Sequence, residues 1–349
     1  MSNSKFIITS PKSHQGGVAS FVSNIKPFLG VVEVFYRGRS SISQNILGRF
    51  FSSCLIPVRF ACLLLRSKAK KTLINSSLSV GSMLRDGVLI RIAKLFNHNV
   101  LLFIHGFKQE DLSYRKLLKW GYFRADTIVV LASEFKQLLT DAGFSKQIEV
   151  LFNPIDAKLI ENFADNPIRK DKRDILFLSR IEKDKGVFEA LDWFKLLKNR
   201  YPDLIFHIAG DGSAKYDAER YANDQNIKDV IFYGFISGDK KITMLSKCSF
   251  FILMSSYKEG LPISILEAMS AGQIILTRPV GGIKDLYEQC KFGVMLDSLS
   301  PDVFAEAFEQ YYNNPDLFNF TSNNNQQFAK THFHPSIVAE KIKKIFDSI

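Results

Sequence analysis

With 349 residues the chain is long enough for two domains that each bury a core, and 46% apolar and 23% charged residues with a mean hydropathy near zero exclude a polytopic membrane protein. Four cysteines, Cys54, Cys62, Cys248 and Cys290, have neither CxxC spacing nor a nearby histidine, so no zinc site or disulfide framework is indicated and a reducing compartment fits. The net charge of +11 is confined to residues 1–85, where 12 lysines and arginines face the single Glu33; residues 86–349 carry 34 of each sign.

The opening MSNSKFIITSPKSHQGG lacks the apolar centre of a secretory signal and runs into a strand pattern at Lys5 to Ser10, so a cytoplasmic location is expected. Gly16 and Gly17 follow, opening a helical pattern from Val18 to Leu29. They read either as a turn that lets backbone approach a ligand or as a plain strand-to-helix turn. After the strand Val31 to Tyr36 comes Arg49 to Lys71, which interleaves basic and apolar residues. Its most apolar part, Ser53 to Leu65, is broken by Arg59 and falls short of the roughly 20 residues a spanning helix needs. The stretch suits peripheral contact with an anionic membrane surface at the inner face of the cytoplasmic membrane, or a buried helix with solvated basic ends.

Past the strand Thr72 to Asn75, the segment Ser82 to Gly87 begins another helical pattern. It reads as a capping serine with a surface pair of Arg85 and Asp86. The strands Val100 to Ile104, Thr127 to Leu131 and Glu149 to Phe152 complete a first series, with His105 placed at the end of its strand. A second series runs through Asp174 to Ser179, Leu204 to Ala209, Val230 to Tyr233, Phe250 to Met254, Ile274 to Thr277 and Gly293 to Leu296. Strands alternating with amphipathic helices predict an α/β chain of two facing, doubly wound Rossmann-like domains with a cleft between them. We place the first domain at 1–156, a polar linker at 157–173, the second domain at 174–334, and a final helix at 335–349 packing back towards the first.

EGLPISILEAMSAG follows the strand Phe250 to Met254 and implies a turn and a helix start with Pro262 in its first turn. The amides of Gly260, Leu261 and the residues after Pro262, Ile263 first, would meet an anion there, a diphosphate being the obvious candidate. Glu267 lies five residues on, or about 7 to 8 Å along the axis. Glu259 stands on the other side of the helix start. Two carboxylates then bracket a nucleotide sugar, each accepting from vicinal hydroxyls. Read alone, the same residues are a helix-start charge and a solvated one.

Taken together, Glu259 and Glu267 in an E-x7-E spacing, Ser179 to Gly186, Gly210-Asp211-Gly212 and Gly281-Gly282 resemble the C-terminal domain of retaining glycosyltransferases of family 4. Gly16-Gly17-Val18 and His105-Gly106 are weaker matches in the first half. Ser82 to Gly87 resembles segments of the surface-polysaccharide and O-antigen assembly members. The resemblance implies the GT-B fold, retention at the anomeric carbon, Glu259 and His105 on the donor sugar, Glu267 on the ribose, and Arg180 and Lys185 as a diphosphate clamp. Gly210 and Asp211 are expected at the donor site, and Arg85 near an acceptor phosphate.

Two fixed cations neutralise the charge on a departing nucleoside diphosphate, and with no Asp-x-Asp in the chain neither a metal nor another cofactor is expected. The expected partners are a nucleotide sugar, UDP- before GDP-, a saccharide acceptor that is lipid-linked, and an anionic membrane touched by residues 1–85. No recognition motif for nucleic acid is present. The alternatives are a nucleotide-sugar epimerase or hydrolase on the same fold, and a saccharide-binding subunit without activity.

Overall fold

A computed structural model describes residues 5–11, 17–37, 46–107, 109–164, 173–257 and 260–349, with side chains omitted at 46–54. It divides into two units, Met1–Pro154 with Pro335–Ile349, and Ile155–His334.

The first unit is built on strands β1 (Lys5–Pro11), β2 (Val31–Arg37), β3 (Lys71–Leu78), β4 (Asn99–Phe107), β5 (Thr127–Val130) and β6 (Ile148–Val150), with helices α1 (Gly17–Ile25), α2 (Ile46–Arg66), α3 (Val80–Leu95), α4 (Arg115–Trp120) and α5 (Ser133–Asp141). All pairings are parallel, in the order β2-β1-β3-β4-β5-β6. The inner strands are buried on both faces, as sheets covered by crossover helices must be, so they read as near-continuous apolar runs. One irregularity interrupts them. Ser76 faces Ile104 and Ser77 faces Gly106, which leaves His105 as an extra residue in β4. Such a bulge bends the strand and re-aims a side chain.

The second unit comprises α6 (Ala157–Ala164), β7 (Asp174–Leu178), α7 (Val187–Arg200), β8 (Ile205–Ala209), α8 (Lys215–Asp224), β9 (Val230–Gly234), α9 (Gly238–Lys247), β10 (Phe250–Leu253), α10 (Ile263–Ser270), β11 (Ile274–Thr277), α11 (Gly282–Gln289), β12 (Gly293–Met295), α12 (Pro301–Tyr312) and α13 (Pro315–His332). Its strand order is β12-β11-β10-β7-β8-β9, again parallel. The order reverses between β7 and β10, and ligands of such sheets bind beyond the carboxyl ends of the strands at that point. Aromatic packing fixes the helices on the sheet: Trp193 meets Phe308 edge-on at 5.8 Å, and Phe308 meets Phe250 at 4.5 Å. Residues 157–164, expected in the linker, form α6, which packs on α10 and α13.

The closing helix α14 (Pro335–Asp347) belongs to the first unit. Phe346 packs on Phe6 with centroids 5.5 Å apart, and Asp347 accepts from Lys71 at 2.6 Å.

Candidate functional site

In the second unit the residues after β7, β8, β9 and β10 converge. Gly210 has φ +148°, and a Cβ on it would lie 1.8 Å from the Ser179 carbonyl oxygen; one on Gly212 would lie 2.3 Å from that of Ile181. Only glycine permits this approach, which lets Ile181 donate its amide to the Asp211 carbonyl at 3.0 Å. Ser213 adds its hydroxyl and amide to Glu182. The loops after β7 and β8 are thereby locked together.

The 3-10 turn Lys183–Lys185 docks on the loop after β10: the Asp184 carbonyl accepts from the amides of Ser256 at 2.9 Å and Tyr257 at 3.2 Å. This places the Lys185 ammonium 4.2 Å from the centre of the Tyr257 ring, with Lys185 only 4% exposed. Arg180, by contrast, is exposed.

The helix start differs from expectation by one residue. Pro262 has ψ 119° and is the N-cap of α10, not its first helical residue, because the proline stays extended before Ile263 begins the turn. Among the described residues no side chain caps the helix, so its first amides are left to other acceptors or to a ligand. Gly260 accepts from the Gly282 amide at 2.7 Å, and Leu261 is buried. Glu267 is 7% exposed and accepts from Lys241 Nζ at 2.6 Å. Burial pushes its carboxyl above the ordinary range, and Lys241 opposes that shift.

A cavity of about 240 Å³ gathers Arg180, Gly210, Asp211, Ser264 and Glu267 with three residues that the sequence reading did not single out: Phe235, Ile236 and Lys241. Phe235 is 70% exposed and directly follows β9, a strand-end position of the kind that pointed to Arg180. Lys241 carries no local signal; it is found only through its partner.

Glu259 and Gly16 lie outside the described residues. Gly17 is the exposed first residue of α1. In the first unit His105 sits within β4, at the bulge, and not beyond its end. Its ring stacks on Phe103 at 4.1 Å and meets Phe21 edge-on at 4.7 Å, while Nε2 bonds Asn75 Oδ1 at 2.9 Å. Burial first, then the Arg37 cation, lowers its pKa to about 3.

The Arg85–Asp86 pair is not a surface pair. Asp86 is wholly buried and also bound by Arg37 and Ser76, and the cap of α3 is Ser79, three residues before the predicted Ser82. Arg37 arrives from β2, which no local pattern around Asp86 reveals. The structure thus gathers Arg180, Gly210, Asp211 and Glu267 around one cavity in the second unit, and places His105 and Arg85 in the first.

Residues 160–328 match the family model described as glycosyl transferases group 1. An uncharacterized glycosyltransferase of Bacillus subtilis, YqgM, is 27% identical over 227 residues, 64% of this chain and 62% of its own length. The lipopolysaccharide 1,6-galactosyltransferase of Escherichia coli K12 is 27% identical over 191 residues, 53% of this chain and 48% of that enzyme. The match therefore spans less than two thirds of either relative. Among solved structures, that of Anabaena HepE in complex with UDP and glucose has a TM-score of 0.74 at 15% identity, over 99% of this chain and all of the other.

Proposed function

We propose, from the match of residues 160–328 to the model of group 1 glycosyl transferases and from the α/β fold shared with GT-B glycosyltransferases, that the chain transfers a sugar from a UDP-sugar to a saccharide acceptor with retention at the anomeric carbon. The observation that carries this reading is the cavity at the β7/β10 reversal. It joins an exposed cation, a buried carboxylate on a helix with no side-chain cap among the described residues, and an exposed aromatic ring. In this reading the start of α10 and Arg180 hold the diphosphate, and Glu267 receives the ribose hydroxyls. Lys185, fixed beside Tyr257, adds a second cation. Positive groups set in advance around the leaving diphosphate stabilise its developing charge, so the chemistry needs no metal. The leaving phosphate oxygen takes the acceptor's proton on the same face of the sugar, which gives retention. His105 and Glu259 orient the donor sugar.

HepE's UDP and glucose support the donor class, and the Escherichia coli enzyme supports a lipid-linked acceptor in surface-polysaccharide or lipopolysaccharide assembly. No helix among the described residues is long and apolar enough to cross a membrane. Contact with an anionic membrane at its cytoplasmic face falls to the basic first 85 residues.

Thermal melting against UDP, GDP and ADP tests the donor: UDP should raise the transition, by about 2.7 kcal/mol of stability at a hundredfold excess over Kd. Arg180→Ala should lower turnover by about 10², the loss expected when a donor to the developing charge is removed. No shift with any nucleotide would overturn the reading.

A further inference from the structure

A second cavity, of about 620 Å³, lies within the first unit, walled by the end of α3, the 3-10 turn Tyr122–Arg124 and the loop before β6. These segments run into the starts of β4, β5 and β6, so the cavity opens at the amino edge of the sheet. β4 begins at that edge with Asn99 and reaches His105 six residues on, about 20 Å away at 3.3 Å per residue. No residue assigned to sugar transfer lines it.

Four cations do: Arg91 and Lys94 from α3, Arg124 from the turn and Lys146 from the loop. Among the described residues one carboxylate answers them. Asp126 accepts from Lys94 at 2.7 and 2.8 Å and pairs with Lys146 at 3.7 Å, which leaves an excess of three positive charges around one hollow. Residues 86–349 are balanced in charge as a whole, so this is a local segregation, and like charges gathered around a concavity raise the potential that draws an anion. Arg91 is held with its guanidinium 5.4 Å from the centre of the Trp120 ring and Nη1 donating to the Trp120 carbonyl at 3.2 Å. Arg124 is exposed and has no ion pair or hydrogen bond among the described residues.

The rest of the wall is apolar. Ile92 and Phe123 are half-buried against the core, whereas Leu95 is 79% exposed at the end of α3. Among the described residues no serine, threonine, asparagine, glutamine or acid lines the hollow, so a nucleotide or a sugar would meet no side-chain acceptor for its hydroxyl or amino groups. A free phosphate would use the cations and leave the apolar wall in water. A neutral alkane would cover that wall and strip water from the cations. A ligand with an anionic head and an alkyl chain satisfies both surfaces at once, and the volume is that of sites which enclose small molecules.

We propose that this cavity binds one anionic amphiphile, an alkyl phosphate whose head is held by Arg91 and Arg124 and whose first methylenes lie on Leu95 and Phe123. Terminal phosphate oxygens accept from two guanidinium groups together. Each methylene buried on the apolar wall adds about fourfold in affinity. The site does not rest on the transferase reading, and its separation from His105 sets it apart from an acceptor met there.

The full chain, with UDP in excess to fill any diphosphate site, is titrated by calorimetry with decyl phosphate kept below its aggregation concentration. One-to-one binding is expected, at least about tenfold tighter than that of methyl phosphate, which two buried methylenes suffice to give, and tighter than that of decanol. Arg124→Gln should weaken both phosphates about tenfold, the loss of a charge-assisted hydrogen bond. Leu95→Ser should weaken decyl phosphate about fourfold or more and leave methyl phosphate unchanged. Both side chains face water, so both variants should melt as the parent does. Arg220→Gln, an exposed position on α8 outside the cavity, should bind as the parent does.

With decyl phosphate bound, competition by phosphatidylglycerol vesicles identifies a membrane lipid as the source of the ligand, and its lack identifies a free amphiphile. Equal affinity for decyl and methyl phosphate, tighter binding of decanol or of AMP, parental affinity in both Arg124→Gln and Leu95→Ser, or an equal loss in Arg220→Gln would overturn the assignment. So would capture by the vesicles without any binding of monomeric decyl phosphate, which would make the cations a charged surface and not a site.

Discussion

His105 is a buried-edge imidazole whose tautomer is set by its neighbour. Asn75 Nδ2 donates to the Thr9 carbonyl at 2.8 Å, so its Oδ1 accepts and His105 Nε2 carries the hydrogen. With a pKa of about 3 the ring is neutral near pH 7, fit to orient a hydroxyl and unfit to serve as an acid. The unfolded chain takes up this proton below 6.5 while the folded chain refuses it, so stability is complete above 6.5 and falls as pH drops towards 3. His98, lowered to about 4 by burial and by Lys70 and Lys94, titrates in the same window. Thermal melts of His105→Gln should therefore lose less stability between pH 6.5 and 3 than the parent; an unchanged slope would contradict the assignment.

Glu267 works in the opposite direction. Burial raises its pKa above 4.5, so the folded state favours the protonated form and stability declines as pH rises through the raised value. Lys241 offsets this. Lys241→Met should steepen the decline above pH 4.5 in melting curves and weaken UDP binding, and Lys241→Arg should recover both.

At the level of elements, the donor cavity depends on how one turn sits on one loop. Gly186 has φ +77°, and a Cβ there would lie 2.3 Å from the Met254 carbonyl oxygen. Gly186→Ala must lift the Lys183–Lys185 turn away from residues 255–257, which moves Lys185 off Tyr257. We expect a stability loss of about 1–3 kcal/mol together with a fall in turnover. A variant that melts and turns over like the parent would refute this coupling.

The strands among the described residues are legible in the sequence because most carry a buried apolar run, unbroken in Phe250–Leu253 and Ile274–Thr277, bounded by turns. Arg180, Gly210, Asp211 and Glu267 are legible because each lies at or near a strand's carboxyl end or a helix start. What escapes is non-local. Asp86 looks solvated until Arg37 arrives from 49 residues away, Lys241 matters only through Glu267, and the bulge at His105 arises from pairing with Ser76 and Ser77.

Across the whole molecule the charge is lopsided: all of the excess of +11 lies in the first 85 residues. Within that stretch α2 turns Leu55, Val58 and Leu65 to solvent, at 54%, 57% and 69% exposure, with exposed Arg59 and Arg66 on the same face. An apolar stripe flanked by arginines is the composition of a helix that lies in a membrane interface, where each basic residue near an anionic surface contributes about 1 kcal/mol. The full chain should float with vesicles rich in phosphatidylserine, remain in solution with phosphatidylcholine alone, and release as salt shortens the Debye length from about 10 Å at 0.1 M to about 3 Å at 1 M. Val58→Glu combined with Leu65→Glu should abolish flotation while leaving the melting temperature and the UDP shift unchanged, because both side chains already face water. Flotation indifferent to lipid charge, to salt and to these two substitutions would show that the basic first quarter has another purpose.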